Sequence, residues 1–216
     1  MRVVLVGAGG HASDILGVFE AQAFHLGKKT TQVIGILHDD EIQGNHFSSR
    51  NVPHIGDISD LPHIDATHYI VAVGFSQGRK DLFEKVAGCG LKAASIVHPL
   101  ADVPSTVSVG EGTVIFSGVR ISPMAAIGNH VYLSHGCLIG HDCVISDFAT
   151  VLPGAAVSGN TTLEESSLVG SNAVVIQSIN IGTRAIVGAG AVVLKDVPED
   201  STVVGNPAAL VPKKGF

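Results

Sequence analysis

Residues 130–160, HVYLSHGCLIGHDCVISDFATVLPGAAVSGN, carry an aliphatic side chain at every sixth position: Leu133, Ile139, Ile145, Val151 and Val157. Followed outward, this series starts at Val97 and reaches Val193 without a slip. A second, usually small residue stands four places after most of its members, as at Cys137, Cys143, Ala149 and Ala155. A period of six fits neither a 3.6-residue helix nor a plain half-buried strand; unbroken self-similarity at so short a period marks a solenoid.

The geometry follows from the spacing. A small residue and the next aliphatic are two apart, so alternation along a strand points both inward and leaves the residue between them outside. The remaining pair must turn the chain, and Glu111-Gly112, Ser117-Gly118, Asn129-His130, Pro153-Gly154 and Gly159-Asn160 have the composition of turns. Three flat strands per coil make a triangular prism in which each edge recurs every eighteen residues. One edge then holds Ser105, Pro123, His141-Asp142, Gly159-Asn160 and Gln177. A second holds His130, Asp147, Glu165 and Arg184, and the third Ser117, His135, Pro153, Ser171 and Ala189. Two outer faces are apolar, one with Val114, Phe116 and Tyr132, the other with Leu138, Val174 and Val192, while the third, with Ser108, Ser146 and Glu164, is wetter. Contiguous apolar surface marks an interface. Two such faces meeting at the edge of His135 fit a cyclic homotrimer, with His141 beside the seam between subunits.

Ahead of the repeat the pattern changes. Residues 2–6 read as a short buried strand, followed by Gly7-Ala8-Gly9-Gly10-His11-Ala12 and a helical pattern through Phe19. Glycines at a strand-to-helix turn let the backbone approach a phosphate, and the helix N-terminus favours the anion. The dinucleotide fingerprint is incomplete, because its third glycine is Ala12. Residues 33–37 make a second strand ending at Asp39-Asp40, where a ribose-binding acid falls. Residues 69–73 make a third strand that runs into Gly74-Phe75-Ser76, followed by a helix over about 77–87. Residues 92–97 supply a last strand, and 44–53 read as a polar surface loop. About 95 residues hold little more than half of a full dinucleotide fold. The residues thus fit either a mononucleotide or nucleotide-sugar pocket, or a small α/β domain whose glycines only close a tight turn. Two domains are expected: a Rossmann-like α/β unit over 1–96 and an all-β unit over 97–216.

Composition narrows the partners. With 45% hydrophobic residues in 216, the chain can bury a real core. A formal net charge of −6 argues against nucleic acid or an acidic membrane surface as a partner. No apolar run reaches the length of a membrane span, so a cytoplasmic protein is expected. Of three cysteines, Cys137 and Cys143 take inward positions, and nothing suggests a disulfide framework.

Gly140-His141-Asp142-Cys143 is the most chemically suggestive constellation. Acyl transfer from a thioester needs a base for the proton of the attacking group, and histidine titrates in the right range. An adjacent carboxylate can hold the ring and stabilise the imidazolium. His130, His135 and His141 fall on three different corners, on the order of 15 Å apart. One chain therefore cannot gather them around a single ion, and no metal is expected. The coil also resembles γ-type carbonic anhydrases, where a site is shared between subunits, but the third histidine that family needs is replaced here by Ala94 or Pro99.

From the GAGGHA turn to the VVGNPA tail at 203–208, the whole chain resembles the sialic-acid O-acetyltransferase family of NeuD and PglD type, hexapeptide-repeat sugar acetyltransferases that include bacterial nucleotide-sugar N-acetyltransferases. The family's catalytic histidine stands in a segment matched by His141, Asp142, Cys143, Val144 and Ile145. Some relatives have Glu where Asp142 stands, and some a second histidine at the place of Thr150. The resemblance implies a left-handed parallel β-helix and acetyl-CoA as co-substrate. It also implies Gly10 and His11 on the nucleotide-sugar phosphates, Asp39 on the nucleoside, Gly74 and Ser76 in the pocket wall, Ser134 on the sugar, and Gly159, Ala189 and Pro207 along the coenzyme A path. The activity expected is acetyl transfer to the amino group, at C4, of a nucleotide-linked deoxysugar, with His141 as general base and active sites at the subunit interfaces of a homotrimer. O-acetylation of sialic acid or a related hydroxyl is the alternative, and an inert nucleotide-sensing scaffold a reading of another class.

Overall fold

The computed structural model describes residues 1–28, 31–39, 47 and 50–212. They form two compact units, Met1–Pro99 and Leu100–Phe216.

In the first unit, β1 (Arg2–Val6), β2 (Gln32–Leu37), β3 (His54–Gly56), β4 (His68–Val71) and β5 (Lys92–Ala93) make one parallel sheet in the order β3-β2-β1-β4-β5. Helices α1 (Gly10–Leu26) and α2 (Ser76–Val86) connect the strands. Val3, Val4, Leu5 and Val6 are all buried, as expected of a central parallel strand covered on both sides. Helix α1 extends seven residues beyond the expected Phe19, ending at Leu26. Its buried face is Ala12, Ile15, Leu16, Val18 and Phe19, after which Phe24 and Leu26 face solvent and the apolar period vanishes although the helix continues. What stops it is Gly27, left-handed at φ 63°, whose N–H donates to Phe24 O. The expected strand over 92–97 is two pieces, Lys92–Ala93 and Ile96–Val97. Strand β3 and a short 3-10 helix at Ile58–His63 were not foreseen, because neither is long enough to show a period. Asp40 and half of the expected loop at 44–53 lie outside the described residues.

The second unit is a left-handed parallel β-helix. Its two-residue strands stack in three walls with a register step of eighteen, as in Ala126↔Val144 and Tyr132↔Thr150. One wall runs from Ser108–Val109 to Asn180–Ile181, a second from Val114–Ile115 to Ile186–Val187, and a third from Arg120–Ile121 to Val192–Val193. Beyond Val193 the coiling persists in part: Val197 bridges Ile181, Thr202–Val204 pairs with Ile186–Val187, and Ala209–Leu210 folds back antiparallel on it.

From Ile115 to Val193 every aliphatic hexad position is nearly or wholly inaccessible, as are Ala125, Cys137, Cys143, Ala149 and Ala155. Polar side chains at several of the small inward positions are bonded. Thr113 Oγ1 donates to Gly128 O (2.8 Å) and accepts from Val131 N–H (3.0 Å), and Cys143 Sγ donates to Ser158 O. Burial raises the Cys143 thiol and pushes Cys137 up to about 12.

The outer faces differ from expectation. Val114, Phe116 and Tyr132 are already buried in the single chain, with Phe116 edge-on to Tyr132. Further along that face, which also includes Leu152, Leu168 and Ile186, these three are partly exposed, while the face of Leu138 and Val174 exposes those side chains more fully, joined by Val144 from the wetter wall. Among the described residues, no helix is long and apolar enough to cross a membrane.

Ile145→Ala is expected to cost roughly 2–5 kcal/mol in urea denaturation, whereas Val144→Ala, one residue away but exposed, should stay within about 0.5 kcal/mol. Thiol alkylation of the native protein at pH 8, read by mass spectrometry, is expected to label at most Cys89, with Cys137 and Cys143 reacting only after denaturation.

Candidate active site

Two separate features gather the chemistry, one in each unit. In the first unit, a cleft of about 520 Å³ lies at the carboxyl ends of β1, β2 and β4, where open α/β sheets bind ligands. Gly7, Gly9, Gly10, His11, Asp14, His38, Ile58, Val73, Gly74 and Leu82 line it, and its size is that of a small-molecule site. Helix α1 begins here with Gly9 as its N-cap, with no side-chain cap bond and no acid in its first turn. Its positive end is left for an external anion. His11 folds over Gly74: a Cβ on Gly74 would lie 2.6 Å from His11 Nδ1, so only glycine admits the ring.

Of the residues expected in this pocket, Gly10, His11 and Gly74 line it. Asp39 stands at its margin, accepting a hydrogen bond from Ile58 N–H (2.9 Å), and Ser76 is buried at the start of α2. His38, Asp14 and Leu82 were missed. His38 was legible in principle, since it directly follows β2 and precedes Asp39, at the strand end where ligands gather. Asp14 and Leu82 reach the cleft only through the packing of their helices.

The second feature is the corner His141-Asp142. The turn places Asp142 at φ 56°, a left-handed conformation that aspartate tolerates. The corner is stitched to its neighbours by Asp142 N–H on Pro123 O and Asn160 N–H on His141 O. His141 Nδ1 lies 2.8 Å from Asp142 Oδ2. The shorter carboxylate therefore reaches the ring, and the Nδ1–H donates to it, which leaves the lone pair on Nε2. Both side chains are more than half exposed, so the pair contributes at most about 1 kcal/mol to stability. Its consequence is orientation of the ring. The imidazole leans along the edge toward the next coil, where a Cβ on Gly159 would come within 2.6 Å of Nε2.

The other expected residues do not join this corner within one chain. Ser134 is buried in the second wall, Ala189 is exposed on the edge of His135, and Pro207 lines a separate hollow of about 430 Å³ with Val193, Lys195 and Leu210. His130 is buried and stacked on Phe148 at 5.2 Å, and His135 packs against Phe116 at 4.8 Å. Among the described residues, no group of three or more His, Cys, Asp or Glu is placed to hold a metal ion.

A histidine held by a carboxylate at a β-helix corner, in a chain that also carries a nucleotide-type cleft, defines the class of hexapeptide-repeat acyltransferases. The chain matches the PglD N-terminal domain over residues 2–86 and the hexapeptide repeat of succinyl-transferase over 160–195. PerB from Caulobacter crescentus, solved in complex with CoA and GDP-perosamine, is 30% identical, with a TM-score of 0.86 and 98% of each chain covered. The GDP-perosamine N-acetyltransferase of Escherichia coli O157:H7 is 29% identical over 214 residues, 90% of this chain and 95% of that one. A serine acetyltransferase of Bacillus pumilus is 41% identical over 110 residues, and the chain spans about half the length of such curated relatives, 51% in this case. The chain belongs to the NeuD and PglD-type family of hexapeptide-repeat sugar acetyltransferases.

Gly159 is not in the left-handed region, and the atoms an added Cβ meets are the far end of a side chain. Gly159→Ala is therefore expected to leave the melting temperature within a few degrees of wild type while displacing His141. The loss should be at least ~10-fold in kcat, given how steeply rate depends on placement, read by steady-state kinetics beside a thermal melt.

Proposed function

We propose that this chain transfers the acetyl group of acetyl-CoA to the amino group of a nucleotide-linked amino-deoxysugar, at C4 of the sugar. A guanosine diphosphate sugar is the first choice of substrate, because relatives aligned along nearly the whole chain act on or bind GDP-perosamine. The single observation behind this function is the hydrogen bond from His141 Nδ1–H to Asp142, which fixes the tautomer and leaves Nε2 basic on an exposed corner.

In the reaction the amine nitrogen attacks the thioester carbonyl carbon, and His141 Nε2 takes the proton that the nitrogen sheds as the tetrahedral intermediate forms. The C–S bond then breaks, and the departing thiolate takes a proton, returned by the imidazolium, to give free coenzyme A. Asp142 stabilises the charged ring between these two transfers. In this reading a backbone amide near Gly159 holds the thioester oxygen.

In this reading the enzyme is a cytoplasmic homotrimer with coenzyme A lying at the seam between subunits. The exposed face of Leu138 and Val174 supplies the apolar contact. Gly10 and His11 hold the diphosphate, Asp39 the nucleoside and Ser134 the sugar, while Ala189 and Pro207 border the coenzyme A path.

His141→Asn is expected to lower kcat at least ~10²-fold, the scale of a general base, with coenzyme A affinity by calorimetry changed less than about twofold. An unaltered kcat with GDP-perosamine and acetyl-CoA removes the assignment.

A further inference from the structure

Among the described residues, Arg79 is the largest fully buried side chain, at 0% exposure. A guanidinium withdrawn from water persists only where its N–H groups are well bonded. Arg79 Nη1 donates to the carbonyl oxygens of Val73 and Gly74, each at 3.0 Å. Both of those residues line the cleft, and Gly74 is also the residue over which His11 folds.

The two bonds fix more than position. In a trans peptide the C=O and the N–H point in opposite directions. With the Val73 and Gly74 carbonyls aimed at the guanidinium, the N–H groups of Gly74 and Phe75 point away from it. Phe75 is the N-cap of α2, makes no side-chain cap bond, and is followed by a first turn without acids. Its N–H makes no backbone hydrogen bond among the described residues. Carbonyl oxygens facing the cleft would repel a diphosphate, whereas amides attract one.

We propose that Arg79 is a positioning residue that sets the polarity of this wall: it draws two carbonyl oxygens out of the cleft and turns the Phe75 amide toward the diphosphate of a bound nucleotide. The N-terminus of α1 supplies the other donor wall. This inference rests on the nucleotide-sugar reading of the cleft.

Isothermal titration of the full chain with GDP, guanosine and coenzyme A tests it. Arg79→Met is expected to raise the Kd for GDP at least ~10-fold, about 1.4 kcal/mol, with guanosine and coenzyme A changed less than about twofold. Arg79→Lys, which keeps the charge but offers no planar fork, should fall between. Phe75→Pro supplies an arm independent of Arg79, because it deletes one amide N–H at an exposed position whose φ of −73° is proline's own. It should weaken GDP at least ~3-fold and spare coenzyme A. Unchanged GDP binding in Arg79→Met or in Phe75→Pro, or equal losses for GDP and coenzyme A, overturns the proposal. Wild type that binds none of GDP, UDP or dTDP overturns the nucleotide reading beneath it.

Discussion

The interior of the β-helix accepts two side chains per strand, one aliphatic and one small, and nothing else in that unit can form unless this condition holds at every step. Three walls lean on one another across a narrow axis, so an inward side chain that is too large pushes on all of them, and one that is too small leaves a void that no neighbour can fill. Thr113, Thr161 and Cys143 meet the condition with polar atoms because each finds a carbonyl oxygen, at Gly128, Ile176 and Ser158 respectively. Polar groups placed there without such partners would carry their full desolvation penalty.

A stack held in this way makes its corners dependable. The backbone of each corner is tied to the coils before and after it, so a side chain at a corner has a fixed base even when it stands in solvent. His141 uses this arrangement. Asp142 holds one nitrogen of its ring, and the missing side chain of Gly159 makes room for the other. Neither contact adds much stability, and both restrict where a proton can be taken up. As the proposed base, an imidazole exposed to water and held by a neighbouring carboxylate stays accessible to substrate without losing its orientation.

In the proposed reading the α/β unit has a different task, that of receiving an anion without a cluster of exposed cations. Its cleft is lined by glycines, a helix N-terminus and histidines, and Arg79, the fully buried cation among the described residues, sits behind the wall and bonds to carbonyl oxygens. In the proposed arrangement such a pocket offers a directed amide, which selects for shape as well as for charge. His11 over Gly74 is the contact through which the glycine turn and the α2 wall meet.

The hexad period alone determined the solenoid, its inward residues, its turn pairs and the sharing of edges, because a period is a local property repeated until it cannot be misread. It also placed His141 beside Asp142, since adjacent residues need no fold to bring them together. The glycine turn and Asp39 could be located for a similar reason, lying at strand ends that the apolar runs delimit. Only the tertiary structure decided that Gly159 lies under the His141 ring, that His11 needs Gly74, that Arg79 is buried on the Val73 and Gly74 carbonyls, and that Phe116 and Tyr132 are not open to a partner. Each of these joins residues from different strands, helices or coils, or concerns what covers a face. No periodicity records such contacts, because they depend on how elements pack and not on which residues follow one another.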